Sequence, residues 1–441
     1  MKNRIEITAA EFCSSVRDGT HDSPKKVLDG GKPLVTTKHL KNGSLDISST
    51  YNISNEDFEK VNLRSKVDKW DVLISMIGTV GEVFLVSDEP NYAIKNLGLF
   101  KVGNELNSKW LFYYLKSQHG QNQIKLSLQG STQQYISLKS LRNLLIYIPE
   151  TEKETKSIVS FLSLLDKKIE LNQKMNETLD EIAKMLFKSW FIDFDPVRAK
   201  AERRPTGLSK EISNLFPDSF EDSEIGEIPK GWHTTSLDHI TSKFTTGLNP
   251  RKNFVLGSGI NFYVTIKNLG DFEVVLDDKC DKVDNDAIKK INSRSDLKEN
   301  DILFSGIGTI GKVVYVFDSA KNWNISESVF SLRANSGVTF PSFLYQLLKS
   351  YPLQGYVQAL AGGSVQRGIR MGALKEYKFS LPNFEVQQLF NETISPMIKK
   401  ISLNLNETKS LINIRDTLLP NLISGELKIE DAKNLIEEAG V

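Results

Sequence analysis

The chain has 441 residues, of which 39% are hydrophobic and 25% charged, with a formal net charge of +1. That length predicts roughly two to four folded domains. No apolar run reaches the ~18 residues of a membrane span, and two cysteines, Cys13 and Cys280, make neither a disulfide framework nor a zinc site. The opening MKNRIEITAAEF lacks an apolar core, so a secretory leader is not expected and a cytoplasmic globular protein is.

Residues 1–150 are rich in short β-branched or aromatic runs broken by Gly, Asn and Asp, such as Val72–Ile77 and Glu82–Val86. They predict a mixed, β-rich domain with a few helices, one near Lys109–Ser117. Residues 151–192 contain no Gly or Pro, and Thr151 with Glu154 fits a capping box. Here steps of four and three from Ile158 pass through Leu162, Leu165, Ile169, Asn172, Asn176, Leu179, Ala183, Leu186 and Trp190. That is the seam of a coiled coil with a polar middle. Residues 193–227 hold Pro196, Pro205, Gly207, Pro217 and Gly226 with an acidic stretch, which predicts a partly extended linker.

The pattern then returns. Val264 to Leu269 (VTIKNL) repeats Val35 to Leu40 (VTTKHL), and Ile307-Gly308-Thr309-Ile310-Gly311 repeats Ile77-Gly78-Thr79-Val80-Gly81. FLYQLLKS, ending at Ser350, repeats WLFYYLKS, ending at Ser117, and KKISLN from Lys399 repeats KKIELN from Lys167. Ordered matches at one offset mark an internal duplication. Residues 228–382 therefore predict a second β-rich domain, and 383–425 a second long helix. Its seam runs through Ile394, Met397, Ile401, Asn404, Leu411 and Leu418, with Asn404 in the pattern position of Asn172 as a candidate buried pair. Pro396 should kink or open this helix. Residues 426–441 form a short tail.

Chain order makes packed helices antiparallel. The expected fold is thus α+β, with two mixed β-rich domains separated by two long antiparallel coiled-coil helices in a pseudo-twofold repeat. Some 40 helical residues at ~1.5 Å each span roughly 60 Å. Basic residues are in excess in 1–150 and 228–382, while 205–227 and 383–441 are acidic.

Catalytic motifs fail on context. Gly306-Ile307-Gly308-Thr309-Ile310-Gly311-Lys312 resembles a phosphate-binding loop, but Val313 stands where Ser or Thr is required. The next segment, Val313 to Phe317, is strand material, whereas phosphate needs a helix N-terminus. A tight strand–turn–strand is expected instead. The five histidines are scattered, with no HExxH, so metal catalysis is not expected, and no cofactor is assigned to this chain.

Several segments resemble the specificity (S) subunits of type I restriction–modification systems. They are Asp18 to Pro24 (DGTHDSP) with Leu34 to Leu40 (LVTTKHL), the paired Gly-Thr-hydrophobic-Gly turns, Gly130 to Ile136 (GSTQQYI), SWFIDFDPVRAK, EIPKGW and LLPNLISGEL. The resemblance covers nearly the whole chain. It implies that each β-rich domain reads one half of a bipartite DNA target. It also implies that the helices set the gap and dock two methyltransferase (M) subunits, and that restriction/translocase (R) subunits join them. Catalysis would belong to those partners, and no membrane is involved. The candidate double-stranded DNA contacts are polar loop residues: Lys38, His39, Lys41, Ser131, Thr132, Gln133, Gln134 and Tyr135 in the first domain. In the second they are Lys267, Asn268, Ser364, Gln366, Arg367 and Arg370. The competing classes are an adaptor joining two protein partners, which salt dependence separates from DNA binding, and an enzyme such as a fused methyltransferase or nuclease fragment, which turnover of S-adenosylmethionine by this chain alone would support.

Overall fold

The computed structural model describes residues 3–41, 43–361 and 368–438. They form two compact units, Met1–Leu171 with Glu407–Val441, and Asn172–Asn406.

Each unit is built round the same four-stranded antiparallel sheet. In the first unit its order is Ser15–Asp18, Leu97–Lys101, Val72–Ser75, Val83–Leu85; in the second it is Thr241–Thr246, Val329–Ala334, Ile302–Ser305, Val313–Tyr315. The central strand is buried on both faces, and its period of two sorts its side chains. Val72 and Ile74 join a core with Trp110, Leu111 and Ile146, while Leu73 joins another with Val35, Ile94 and Leu99. Ile302 and Phe304 divide from Leu303 in the same way. A smaller sheet flanks each: Ala93–Lys95, Lys32–Thr36, Tyr51–Ile53 and Lys26–Val27 in one unit, and Asp281–Val283, Asn261–Val264 and Trp323–Ile325 in the other.

The long helices span Glu152–Phe191 and Phe384–Ser424. Within the first unit, Leu165 and Ile169 pack against Leu411, and Ile158 and Leu162 share a core with Leu418 and Leu422. Rising numbers on one helix meet falling numbers on the other, so the pair is antiparallel. The second unit repeats this order, with Phe187 and Trp190 on Phe390, and Ile394 in the same core. Ile401 is buried, while Leu179, Leu186 and Met397 are half-buried. Toward the domains the buried stripe widens to take in Val159, Phe187, Phe191, Leu419 and Ile423. There each helix serves a globular core as well as a two-helix seam.

Three sequence expectations need correction. The buried asparagine contact is not between the pattern mates Asn172 and Asn404. Asn404 Nδ2 donates to Asn176 Oδ1 at 2.8 Å, and Asn172 is buried nearby in the chain. In an antiparallel pair the residue opposite a given one is set by the axial offset of the two helices, not by the repeat position. Pro396 does not open the second helix far enough to interrupt it, since the helix runs from Phe384 to Ser424. Pro396 is exposed, and so is Glu392, whose carbonyl the proline leaves without its helical donor.

The linker, finally, is folded rather than extended. It holds the helices Asp195–Ala201 and Lys210–Leu215 and the hairpin Phe220–Ser223 with Gly226–Pro229. Pro196 sits at the first turn of its helix, where its fixed φ favours helix entry. Val197, Phe216 and Trp232 are buried in the aromatic core with Phe191 and Phe343.

The C-terminal stretch is also built in. Gly425, at φ +76°, ends the second helix, and the helix Ile429–Glu438 buries Ala432 in the first unit's core. Arg4 caps the long helix by donating from Nη2 to the Leu422 carbonyl at 2.7 Å and from Nε to the Ile423 carbonyl at 2.8 Å. A cation there opposes the negative end of the helix dipole. Among the described residues, no helix is long and apolar enough to cross a membrane.

Candidate nucleic-acid interface

The glycine turn after each central strand is the centre of the candidate site. Gly78 and Gly81 have φ of +80° and +96°, and Gly308 and Gly311 +80° and +91°, values open to glycine at little cost. Ser75 Oγ donates to the Thr79 carbonyl at 2.5 Å and accepts from the Glu82 amide at 2.9 Å. Ser305 does the same with Thr309 at 2.6 Å and Lys312 at 2.8 Å. A strand comes next in both copies, so the turn presents no helix N-terminus to a phosphate.

Two polar segments belong with this turn, one of them contacting it in the second unit and the other in both. The first is a single turn of 3-10 helix, Thr37–His39 in one unit and Ile266–Asn268 in the other. Its third residue caps it from within. Thr36 N–H donates to His39 Nδ1 at 2.9 Å, and Thr265 N–H to Asn268 Oδ1 at the same distance. His39 is buried, and burial together with Lys38 beside it holds the imidazole below its ordinary pKa. Asn268 also donates from Nδ2 to Cys280 Sγ at 2.9 Å. Each side chain bonds inside its loop, though His39 Nε2 is buried without a partner among the described residues, whereas Lys38, Lys41 and Lys267 are exposed. Lys38 and Lys41 line an open cleft of about 300 Å³ with Ser44, Asp46 and Ser49. Hydroxyl donation from Ser48 and Ser49 holds the Asp46 carboxyl down at about 2. The cleft therefore carries both charge signs at neutral pH.

The second segment is the loop 129–136. Gln129 and Tyr135 exchange backbone hydrogen bonds of 2.8 and 2.9 Å, and Ile136 N–H reaches the Met76 carbonyl at 2.9 Å. This pins the loop beside the glycine turn. Gly130, at φ +88°, closes so tightly that a Cβ would meet the Gln133 carbonyl oxygen at 2.4 Å. Ser131, Thr132, Gln133, Gln134 and Tyr135 are left exposed. In the second unit Ile369 N–H reaches the Gly306 carbonyl at 2.8 Å, and Arg370 is exposed at the start of the helix Met371–Lys375. Ser364, Gln366 and Arg367 lie outside the described residues.

The first segment reaches the same turn in the second unit. Lys312 Nζ donates to the Leu269 carbonyl at 2.9 Å, and a Cβ on Gly308 would meet Ile266 Cδ1 at 2.5 Å. Sequence reasoning found the two polar segments but not the turn's part in joining them. The repeated Gly-x-x-Gly was the available signal. Among the described residues, no cluster of His, Cys, Asp and Glu has metal-binding geometry.

The sequence pattern described as the type I restriction modification DNA specificity domain matches residues 6–181 and again 229–413. The HindI specificity subunit of Haemophilus influenzae is 27% identical over 416 residues, covering 82% of this chain and 88% of that protein. The MjaIX specificity subunit of Methanocaldococcus jannaschii is 26% identical over 418 residues, covering 92% and 89%. In fold, the crystal structure of a type I restriction–modification S subunit from M. genitalium superposes with a TM-score of 0.52 at 16% identity, covering 95% of this chain and 96% of that one. With both halves matched and the duplicated loop edge in each, this chain belongs to the type I restriction modification DNA specificity family.

Proposed function

We propose that this chain is the non-catalytic DNA-specificity subunit of a type I restriction–modification complex in the cytoplasm. Each β-rich domain reads one half of a bipartite duplex target. The paired helices set the gap and dock two methyltransferase subunits, with restriction subunits joining that assembly. The observation that carries this reading is the duplication itself: two family domains, each with an exposed lysine-bearing 3-10 turn and a Gly-Thr-hydrophobic-Gly turn. Two equivalent edges on one chain suit two half-sites better than one continuous site.

Lys38, Lys41 and Lys267 suit phosphates, because an exposed ammonium is a point charge without base preference. Gln133, Gln134, Arg367 and Arg370 are the base-reading candidates, since amide and guanidinium groups pair bidentately with adenine and guanine edges. His39 and Asn268 shape their turns and are assigned no base.

The test is selection from a random-sequence duplex library by this chain assembled with its methyltransferase subunits, followed by sequencing. A motif of two defined halves around an undefined gap is expected, with affinity falling steeply as salt rises. Recovery of no enriched bipartite motif would refute the reading.

A further inference from the structure

The second unit contains an open cleft of about 370 Å³, lined largely by polar residues, at the junction of its domain and the first long helix. Asp180 and Lys184 line it from the helix, Asp271 and Phe272 from just beyond the 3-10 turn, and Lys312 and Lys349 from the domain. Lys349 and Asp180 form an ion pair whose side chains are only 12% and 8% exposed. Lys349 Nζ also donates to Tyr345 Oη at 3.1 Å and lies 6.0 Å from the centre of the Phe272 ring. Lys184 adds a second cation to Asp180 at 2.9 Å. Lys349 thus pairs with the helix and lies at the edge of cation–π range of Phe272, just after residues 266–268, where Lys312 holds the Leu269 carbonyl.

The first unit handles the equivalent place differently. Lys116 occupies the repeat position of Lys349 and is half-buried against the Phe112 ring at 4.9 Å. The helix carboxylate there, Asp166, instead accepts from Arg415 Nη1 at 2.7 Å and Tyr113 Oη at 2.8 Å. The cores are duplicated, but the junction chemistry is not.

An apolar contact is non-directional and tolerates sliding, whereas a buried ion pair is satisfied in one register and leaves an unpaired charge in others. We propose that Asp180 and Lys349 are positioning residues that fix where the second domain's 3-10 turn stands on the first long helix, and so which gap between half-sites the complex accepts. The inference rests on the specificity-subunit reading above and adds to it the residues that set gap tolerance in the second half.

The experiment repeats the duplex selection with full-length Asp180→Asn and Lys349→Met chains, each assembled with the methyltransferase subunits. The wild type is expected to enrich one gap length. The variants should enrich the same two half-site sequences, with gaps one base pair longer or shorter rising about tenfold, the scale of one lost discriminating contact. A purely structural role would lower thermal stability and leave the gap distribution unchanged, and that result overturns the inference. If both variants fail to assemble, Asp180→Glu keeps the charge and moves it by one methylene. A broadened or shifted gap supports the inference there too, and an unaltered one overturns it. Failure of the wild type to enrich any bipartite motif would instead overturn the functional reading, and this inference with it.

Discussion

At the scale of single residues, neighbours in the chain have opposite duties. Lys267 points out, while Asn268 closes its own turn through the Thr265 amide. Asn268→Ala should therefore cost about 1 kcal/mol of stability, as loss of a capping side chain does, and lower the melting temperature. Lys267→Ala should leave the melting temperature alone. It should weaken DNA binding evenly across target sequences and reduce the slope of log K against log salt by about 1. A melting shift confined to the lysine variant would reverse these assignments. His39 and Asn268 also show where sequence reading reaches its limit. A polar residue in a basic loop reads as a ligand-facing group, and only the Thr36 and Thr265 amides, three residues back, reveal that each is already engaged. The exposure of Ser131 to Tyr135, by contrast, was legible, because a Gly-Ser-Thr-Gln-Gln run has no apolar period to bury.

At the scale of elements, the helices carry a polar step in an otherwise apolar seam. Asn404 is fully buried and spends Nδ2 on Asn176, while its Oδ1 finds no partner among the described residues. Such a contact costs stability and specifies register. Asn404→Leu alone should destabilise the protein by roughly 1–3 kcal/mol, because Asn176 loses its donor in a buried site. Asn176→Leu with Asn404→Leu should recover that loss or exceed it. Thermal unfolding of the single and double variants checks the sign, and a double variant weaker than the single one would contradict it. The heptad stepping located both helices and most of the seam. It did not identify Asn176 as the partner, because a period along one strand carries no information on its axial offset from another. Nor did it show the folding of residues 193–227, where prolines and charge signal an open chain. Val197 and Phe216 nonetheless find an aromatic core that includes Phe343 and Phe390, far away in sequence.

At the scale of the whole molecule, duplication divides the work proposed for this chain. The domains would choose sequence and the helices would choose distance. Inserting four residues between Asn172 and Asn176 adds ~6 Å of helix, close to two base pairs of B-DNA, and rotates the rest of that helix by more than one helical turn. Modification-sensitive sequencing of DNA exposed to the assembled complex should then report both original half-sites at a changed gap. Altered half-sites at the original gap would refute the division of labour.

By itself, the sequence determined the repeat, the order of domain and helix in each copy, the lack of a phosphate-loop context and the family. All of these are local patterns that recur along the chain, and periodicity or ordered motifs record them directly. Tertiary structure decided which polar side chains are free and which are engaged: His39 and Asn268 inside their turns, Asn176 on Asn404, and Asp180 on Lys349. For Asn176 and Asp180 the partners lie more than a hundred residues away, and for His39 and Asn268 the partner is local but is met only once the 3-10 turn has formed, so residue type and spacing alone report neither.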